Sequence, residues 1–113
     1  MTEPLHQKHC VPCEGGTNPL KTVQIAAYAP AVPEWRVRED EKQISRTWKL
    51  KDFAASLAFI NAVGAIAEAE GHHPDIHLTG YRTVTLELST HAIGGLSEND
   101  FILATKIDQL PLA

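Results

Sequence analysis

Residues 81–90, Tyr-Arg-Thr-Val-Thr-Leu-Glu-Leu-Ser-Thr, form the clearest strand pattern in the chain. Val84, Leu86 and Leu88 alternate with polar residues, and successive side chains of a strand point to opposite faces of a sheet. The stretch therefore predicts a strand with one face on a core and the other towards solvent.

A long helix is predicted upstream of this strand. Asp52 is a favourable N-cap, and Gly71 is well placed to end the helix in a left-handed conformation. Between them, apolar residues recur at three- and four-residue steps, which is the spacing of one helix face. The predicted core face consists of Phe53, Leu57, Ile60, Val63 and Ala67.

The remaining elements complete a simple order. Residues 34–38 and 43–50 alternate as a hairpin in which Trp35 and Trp48 can pair, and residues 75–79 form a short strand. Ser97 and Asp100 have capping-box spacing, so a final helix follows. Its predicted apolar face is Phe101, Ala104, Ile107 and Leu110. The fold class is therefore α+β: a two-layer sandwich with a four-stranded, mainly antiparallel sheet (β-β-α-β-β-α) and two helices on one face.

The chain divides into two parts by composition. Residues 1–33 are rich in proline and glycine, which predicts an N-terminal arm with one short helix, capped by Asn18 and ending near Tyr28. The arm is expected to bury little, so its removal should be tolerated. Residues 34–113 form the core domain. A core of about 80 residues buries only about 60% of its unfolded surface, so we expect a homodimer or homotetramer.

Composition excludes several classes of partner. The chain is 43% hydrophobic and 21% charged with a formal net charge of −4, and it has no basic stripe. Nucleic-acid binding is therefore not expected. The longest apolar stretch is interrupted by Ser56, Asn61 and Gly64, so we interpret it as too short and too polar to span a membrane. No secretory pattern occurs, so a cytoplasmic location is predicted.

The two cysteines, Cys10 and Cys13, lie in the arm as Cys-Val-Pro-Cys. We favour reduced thiols without a further role. A zinc site completed by His6 and His9, or a redox pair, are the alternatives.

Three histidines are candidates for proton transfer. His72 and His73 lie in a predicted tight turn between Gly71 and Pro74, and His91 follows the strong strand. If the helix end and the strand end pack together, the three imidazoles meet in one cleft. Histidine suits acid–base chemistry because its ordinary pKa, about 6.5, is close to neutral.

Simpler interpretations remain open. A His-His-Pro turn is often a solvated helix end, and His91 can be an ordinary surface residue. Three histidines also suit zinc, although adjacent histidines diverge in an extended chain. His77, in the middle of a predicted strand, is interpreted as a surface residue.

Several motifs taken together resemble the pterin-4a-carbinolamine dehydratase family. They are residues 68–75 (Glu-Ala-Glu-Gly-His-His-Pro-Asp), Tyr81, residues 88–91 (Leu-Ser-Thr-His) and residues 95–100 (Gly-Leu-Ser-Glu-Asn-Asp). Trp35 and residues 48–53 fit the same pattern, so the resemblance covers about residues 35–110. The chain departs from the family pattern at Gly71, where an acidic residue is frequent, and at Ile76, where an aromatic is frequent.

The resemblance implies a function and a set of site residues. The implied reaction is dehydration of 4a-hydroxytetrahydrobiopterin to the quinonoid dihydropterin and water, in tetrahydropterin recycling, with no metal or cofactor. The catalytic residues carried over are His72, His73 and His91. The substrate-binding residues carried over are Glu68, Ser89, Thr90 and Asp100. A dimerisation or coactivator module and a pterin-related role in molybdenum cofactor metabolism are the alternatives.

Overall fold

A computed structural model describes residues 4–11 and 18–111 of the protein. The helices are α1 (Thr22–Tyr28), α2 (Phe53–Glu70) and α3 (Glu98–Asp108), and the strands are β1 (Arg36–Val37), β2 (Ile44–Lys49), β3 (Asp75–Thr79) and β4 (Thr83–Leu88). Short 3₁₀ turns lie at Leu5–Gln7, Ala29–Ala31 and His91–Ile93.

The four strands form one antiparallel sheet in the order β1-β2-β4-β3. Trp48 lies opposite Val84, and Ile44 lies opposite Leu88, so the apolar residues of β2 and β4 share one face. That face packs in a single core with residues of α2 and α3. The predicted α+β sandwich is confirmed.

The predicted strand at residues 81–90 is shorter at both ends in the structure, where β4 runs from Thr83 to Leu88. Thr90 instead pairs with Gly95, and its backbone N–H donates to the Gly95 carbonyl at 2.7 Å. The chain therefore turns back at this point, and His91 lies in the turn rather than at a strand end.

The helix ends of α2 and α3 follow local chemistry and confirm the predicted caps. Asp52 Oδ1 accepts from the Ala55 backbone N–H at 2.8 Å, and Gly71 ends α2 with φ of 65°. Ser97 and Asp100 form the capping box of α3. The predicted start of α1 at Asn18 is wrong, because Lys21 occupies the N-cap position, and its backbone N–H donates to Gln24 Oε1.

The core face of α2 is rotated relative to the prediction. Phe53 and Leu57 are 50% and 42% exposed. The buried residues are Ser56, Phe59, Val63 and Ala67. Apolar residues surround almost the whole helix, so their spacing does not select one face. Contact between the rings of Phe59 and Trp48, with centroids 4.9 Å apart, accompanies the observed rotation.

By length and apolar composition alone, α2 is also suited to crossing a membrane. It has 18 residues with a mean hydropathy of 1.3, so the interpretation of this stretch as too short and too polar is wrong. One side of the helix nevertheless packs on the sheet, as core helices of globular domains do.

The arm contributes to the core. Ile25 of α1 and Val32 are buried in the same cluster as Trp35, whose indole packs edge-on against Trp48 with ring centroids 5.7 Å apart. The expectation that the arm buries little is therefore wrong, while the Trp35–Trp48 contact is confirmed. A domain boundary near residue 33 stays a prediction.

Ile25→Ala should lower the free energy of unfolding by about 2–5 kcal/mol, because truncating a buried aliphatic side chain leaves a cavity. Chemical denaturation of the full chain measures this change. Val23→Ala is the matched control on the same helix, since Val23 is 81% exposed. Equal stability of the two variants would contradict the burial of the arm.

Candidate active site

A cleft of about 360 Å³ lies where the end of α2, the end of β4 and the beginning of α3 meet. It is lined by Val11, Gly71, His72, His73, Ser89, Thr90, His91, Ala92 and Asn99. The structure thus brings the three predicted histidines together with two of the four predicted substrate-binding residues. Glu68 and Asp100 do not line this cleft but contact histidines that do.

His72 is held at the closed side of the cleft. Its side chain is 12% exposed, and its Nε2 lies 2.6 Å from Oδ1 of Asp100, whose side chain is completely buried. Its backbone N–H donates to the Ala67 carbonyl at 3.2 Å, which follows from the left-handed turn at Gly71. The α2 terminus therefore directs this imidazole towards the start of α3.

Asp100 is fixed by donors from two further segments. Its Oδ2 accepts from Thr90 Oγ1 at 2.8 Å and from the Ser97 backbone N–H at 2.9 Å. The hydroxyl groups of Thr90 and Ser97 lie 2.7 Å apart. Both oxygens of the buried carboxylate thus have partners, as a buried charge requires.

His73 and Glu68 form an exposed pair. His73 Nε2 lies 2.5 Å from Glu68 Oε1, and both side chains are largely open to solvent. Glu68 is in the last turn of α2 and His73 lies just beyond its end, so the turn at Gly71 brings them together. The carboxylate can orient this ring, but solvent weakens the electrostatic part of the contact.

His91 begins the 3₁₀ turn that follows Thr90, and Gly94 ends that turn with φ of 67°. The residue is exposed and lines the cleft. His77, by contrast, lies on the open face of the sheet, with Nε2 2.8 Å from Glu87 Oε1, and does not line the cleft. Ile76, where the family pattern often has an aromatic, does not line it either.

Val11 and Asn99 line the cleft but were missed by sequence reasoning. Asn99 immediately precedes Asp100 in the motif at residues 95–100, so its place in the sequence could have indicated that it lies near the site. Nothing in the sequence of the arm indicates that Val11 reaches this site, because the two residues are 88 positions apart in the chain.

The environment of Cys10 opposes a reactive thiolate. Burial, and then the negative charges of Glu70 and Asp100, raise the pKa of the Cys10 thiol to about 12. The thiol is therefore protonated at neutral pH, whereas zinc binding and redox exchange use thiolates. Cys13 lies outside the described residues, and within residues 4–11 and 18–111 no group of three or more His, Cys, Asp or Glu side chains is placed to hold a metal.

Comparisons with known proteins point to one family. The family model for pterin 4 alpha carbinolamine dehydratase matches residues 18–110. A protein of Halorhodospira halophila, provisionally named a pterin-4-alpha-carbinolamine dehydratase, is 47% identical over 94% of this chain and 96% of its own. The Arabidopsis thaliana protein named pterin-4-alpha-carbinolamine dehydratase 2, mitochondrial, is 46% identical over 94% of this chain and 58% of its own length.

A solved structure is similar as well. The crystal structure of a Brucella melitensis protein described as a transcriptional coactivator/pterin dehydratase superposes with a TM-score of 0.74 at 28% identity, covering 80% of this chain and 96% of that one. With a fold, a family model and close relatives in agreement, the chain belongs to the pterin-4a-carbinolamine dehydratase family.

Proposed function

We propose that the protein dehydrates a pterin-4a-carbinolamine, such as 4a-hydroxytetrahydrobiopterin, by acid–base catalysis with His72, His73 and His91. The observation that carries this proposal is the meeting of the three histidines in one cleft with Ser89 and Thr90. These residues come from separate parts of the chain. Their side chains can donate and accept protons, and the reaction needs one donor and one acceptor around the same substrate.

The reaction breaks the C4a–O bond and removes a proton from the adjacent ring nitrogen, so that a C=N bond forms and water leaves. One group must protonate the departing hydroxyl and another must accept the ring proton. These transfers need neither a redox cofactor nor a metal. The products are the quinonoid dihydropterin and water, and recycling of a tetrahydropterin is the role that follows.

The Asp100 contact supports His72 as the base. An ionised carboxylate accepts hydrogen bonds only, so Nε2 of His72 carries a proton towards Asp100, and Nδ1 of the neutral ring keeps its lone pair. Asp100 also stabilises the imidazolium once a proton has been accepted. The acid is then His91 or His73, both of which face the cleft.

Ser89 and Thr90 are proposed to bind the pterin from the β4 side, and Glu68 to orient His73. Asp100, which is buried behind His72, is proposed to act through that ring rather than by touching the substrate.

A coactivator or dimerisation role is the second candidate, because the similar Brucella melitensis protein is described as a coactivator as well as a dehydratase. A role in molybdenum cofactor metabolism is a third. A cytoplasmic location stays a prediction.

His72→Ala and His91→Ala should each slow dehydration by about 10²–10⁴-fold, the usual contribution of a positioned acid or base. Stopped-flow measurement on chemically generated carbinolamine, corrected for spontaneous dehydration, gives these rates. His77→Ala is the control, because His77 contacts Glu87 on the sheet and does not line the cleft. Near wild-type turnover in both cleft variants would refute the assigned roles.

Exhaustive chelation should leave turnover unchanged, since proton transfer alone completes the reaction. Metal analysis of the purified protein, followed by assay after chelator treatment, checks this. Stoichiometric zinc whose removal abolishes turnover would contradict histidine acid–base catalysis.

The protein should be a homodimer or homotetramer. Phe53 and Leu57 leave an apolar surface on α2, and β1 and β3 are the edge strands of the sheet. Burying such surfaces is favourable by about 25 cal/mol per Å². Light scattering should give a multiple of 12.4 kDa, unchanged in a Cys10→Ser/Cys13→Ser variant. A monomer would overturn the expectation.

A further inference from the structure

We propose that the arm segment His6–Val11 is part of the active site, with Val11 contacting the bound pterin and Asn99 acting as the positioning residue for Val11. This inference rests on the proposed function for the identity of the ligand. It extends the site to a segment that the family pattern of histidines does not include.

The segment is attached to both helices that build the cleft. The backbone N–H of Cys10 donates to Glu70 Oε1 at 2.7 Å, near the end of α2. Two residues of α3 also contact the arm. Glu98 Oε2 lies 3.0 Å from Lys8 Nζ, and Lys106 Nζ donates to the His6 carbonyl at 2.9 Å. The arm therefore bridges the α2 terminus, which carries His72, and the helix that carries Asp100.

Glu70 anchors this bridge. Its side chain is 7% exposed, and it also lies 3.0 Å from His9 Nδ1 and 3.7 Å from Lys106 Nζ. Burial alone would raise its pKa, but the bond from the Cys10 backbone, the contact with His9 and the charge of Lys106 hold the pKa below its ordinary value. The carboxylate that holds the arm is therefore ionised at neutral pH.

Asn99 fixes Val11 through both ends of one carboxamide. Its Oδ1 accepts from the Val11 N–H at 3.0 Å, and its Nδ2 donates to the Val11 carbonyl. Two opposed hydrogen bonds to the same residue define the position and direction of that backbone unit. Because Asn99 is buried in the first turn of α3, the Val11 side chain is held at a set place on the rim of the cleft.

The chemistry of the cleft gives Val11 a function. Most side chains among the described lining residues are polar, and only those of Val11 and Ala92 are apolar. Val11 is 65% exposed. A pterin offers polar edges together with apolar ring faces and a ring substituent, so its apolar part needs a partner that the histidines do not supply. Val11 is placed to be that partner.

Three variants of the full chain test the inference: Val11→Ala, Asn99→Ala and the double substitution. The kinetic readout is kcat and KM for carbinolamines with a 6-methyl or a 6-dihydroxypropyl substituent. The binding readout is the Kd of 7,8-dihydrobiopterin, which does not require turnover. Hydrogen exchange at the Val11 amide reports the Asn99 contact directly. Matched controls are Val23→Ala and Asn61→Ala, both at exposed positions.

Val11→Ala should raise KM and Kd by about tenfold, because it removes two side-chain carbons from an apolar contact, and should change the preference between the two substrates. Asn99→Ala should raise KM similarly, with a much smaller change in kcat, and should accelerate exchange at the Val11 amide. The double variant should be no worse than either single one, because both act through one contact. A general structural role of Asn99 would not couple to the Val11 side chain in this way.

The failure of the inference is distinguishable from failure of the proposed function. A wild-type protein that binds dihydrobiopterin in a Val11-dependent manner but shows no turnover would refute the dehydratase proposal and support the Val11 contact. Val11→Ala indistinguishable from Val23→Ala, additive effects in the double variant, or unchanged Val11 exchange in Asn99→Ala would each overturn the inference. Absence of both binding and turnover in the wild type would overturn both proposals.

Discussion

The buried carboxylate of Asp100 is the group on which the arrangement of the site depends. It accepts from Thr90 at the end of β4 and from the Ser97 backbone at the start of α3, and it contacts His72 just after α2. Removing a carboxylate from water is costly unless donors replace the lost hydration. The three elements must therefore meet at Asp100 for the charge to be tolerated, and their meeting is what forms the cleft. The hydrogen bonds to Asp100 thus couple the stability of the fold to the position of the His72 imidazole.

The parts of the fold that could be predicted are those determined by neighbouring residues. Asp52, Gly71 and the Ser97–Asp100 box act within one helical turn, so they specified the ends of α2 and the start of α3 correctly. The core face of α2 was not predictable in this way. Its apolar residues surround the helix, and the choice of Phe59 over Leu57 depends on where the Trp48 ring lies across the sheet. The burial of Ile25 is likewise a tertiary effect in a segment whose composition suggested exposure.

In the candidate site, too, some residues could be predicted from the local sequence and others depend on long-range contacts. The histidines and the polar residues after β4 belong to a recognisable pattern, and the structure places them around one cleft. The pattern did not distinguish residues that line the cleft from residues that contact those lining it. Asp100 and Glu68 are of the second kind, since they contact His72 and His73. Val11 had no counterpart in the pattern. Its place depends on hydrogen bonds to Asn99 across most of the chain length, and such long-range contacts leave no local signature.

The arm and the catalytic residues are therefore linked through the same two helices. Glu70 is two positions before His72, and Asn99 is one position before Asp100, so the residues that hold the arm adjoin those that hold the imidazole.

Because the pKa of Glu70 is lowered with the arm bound, the ionised form favours binding of the arm. This contribution is present above the ordinary carboxyl pKa of about 4.3 and is lost as pH falls through the lowered value. The contribution of the Glu70 charge to holding the arm is therefore fully present near neutral pH. Asn99 holds Val11 through a neutral carboxamide, so a change in the charge of a histidine does not by itself remove these two hydrogen bonds at the rim of the cleft.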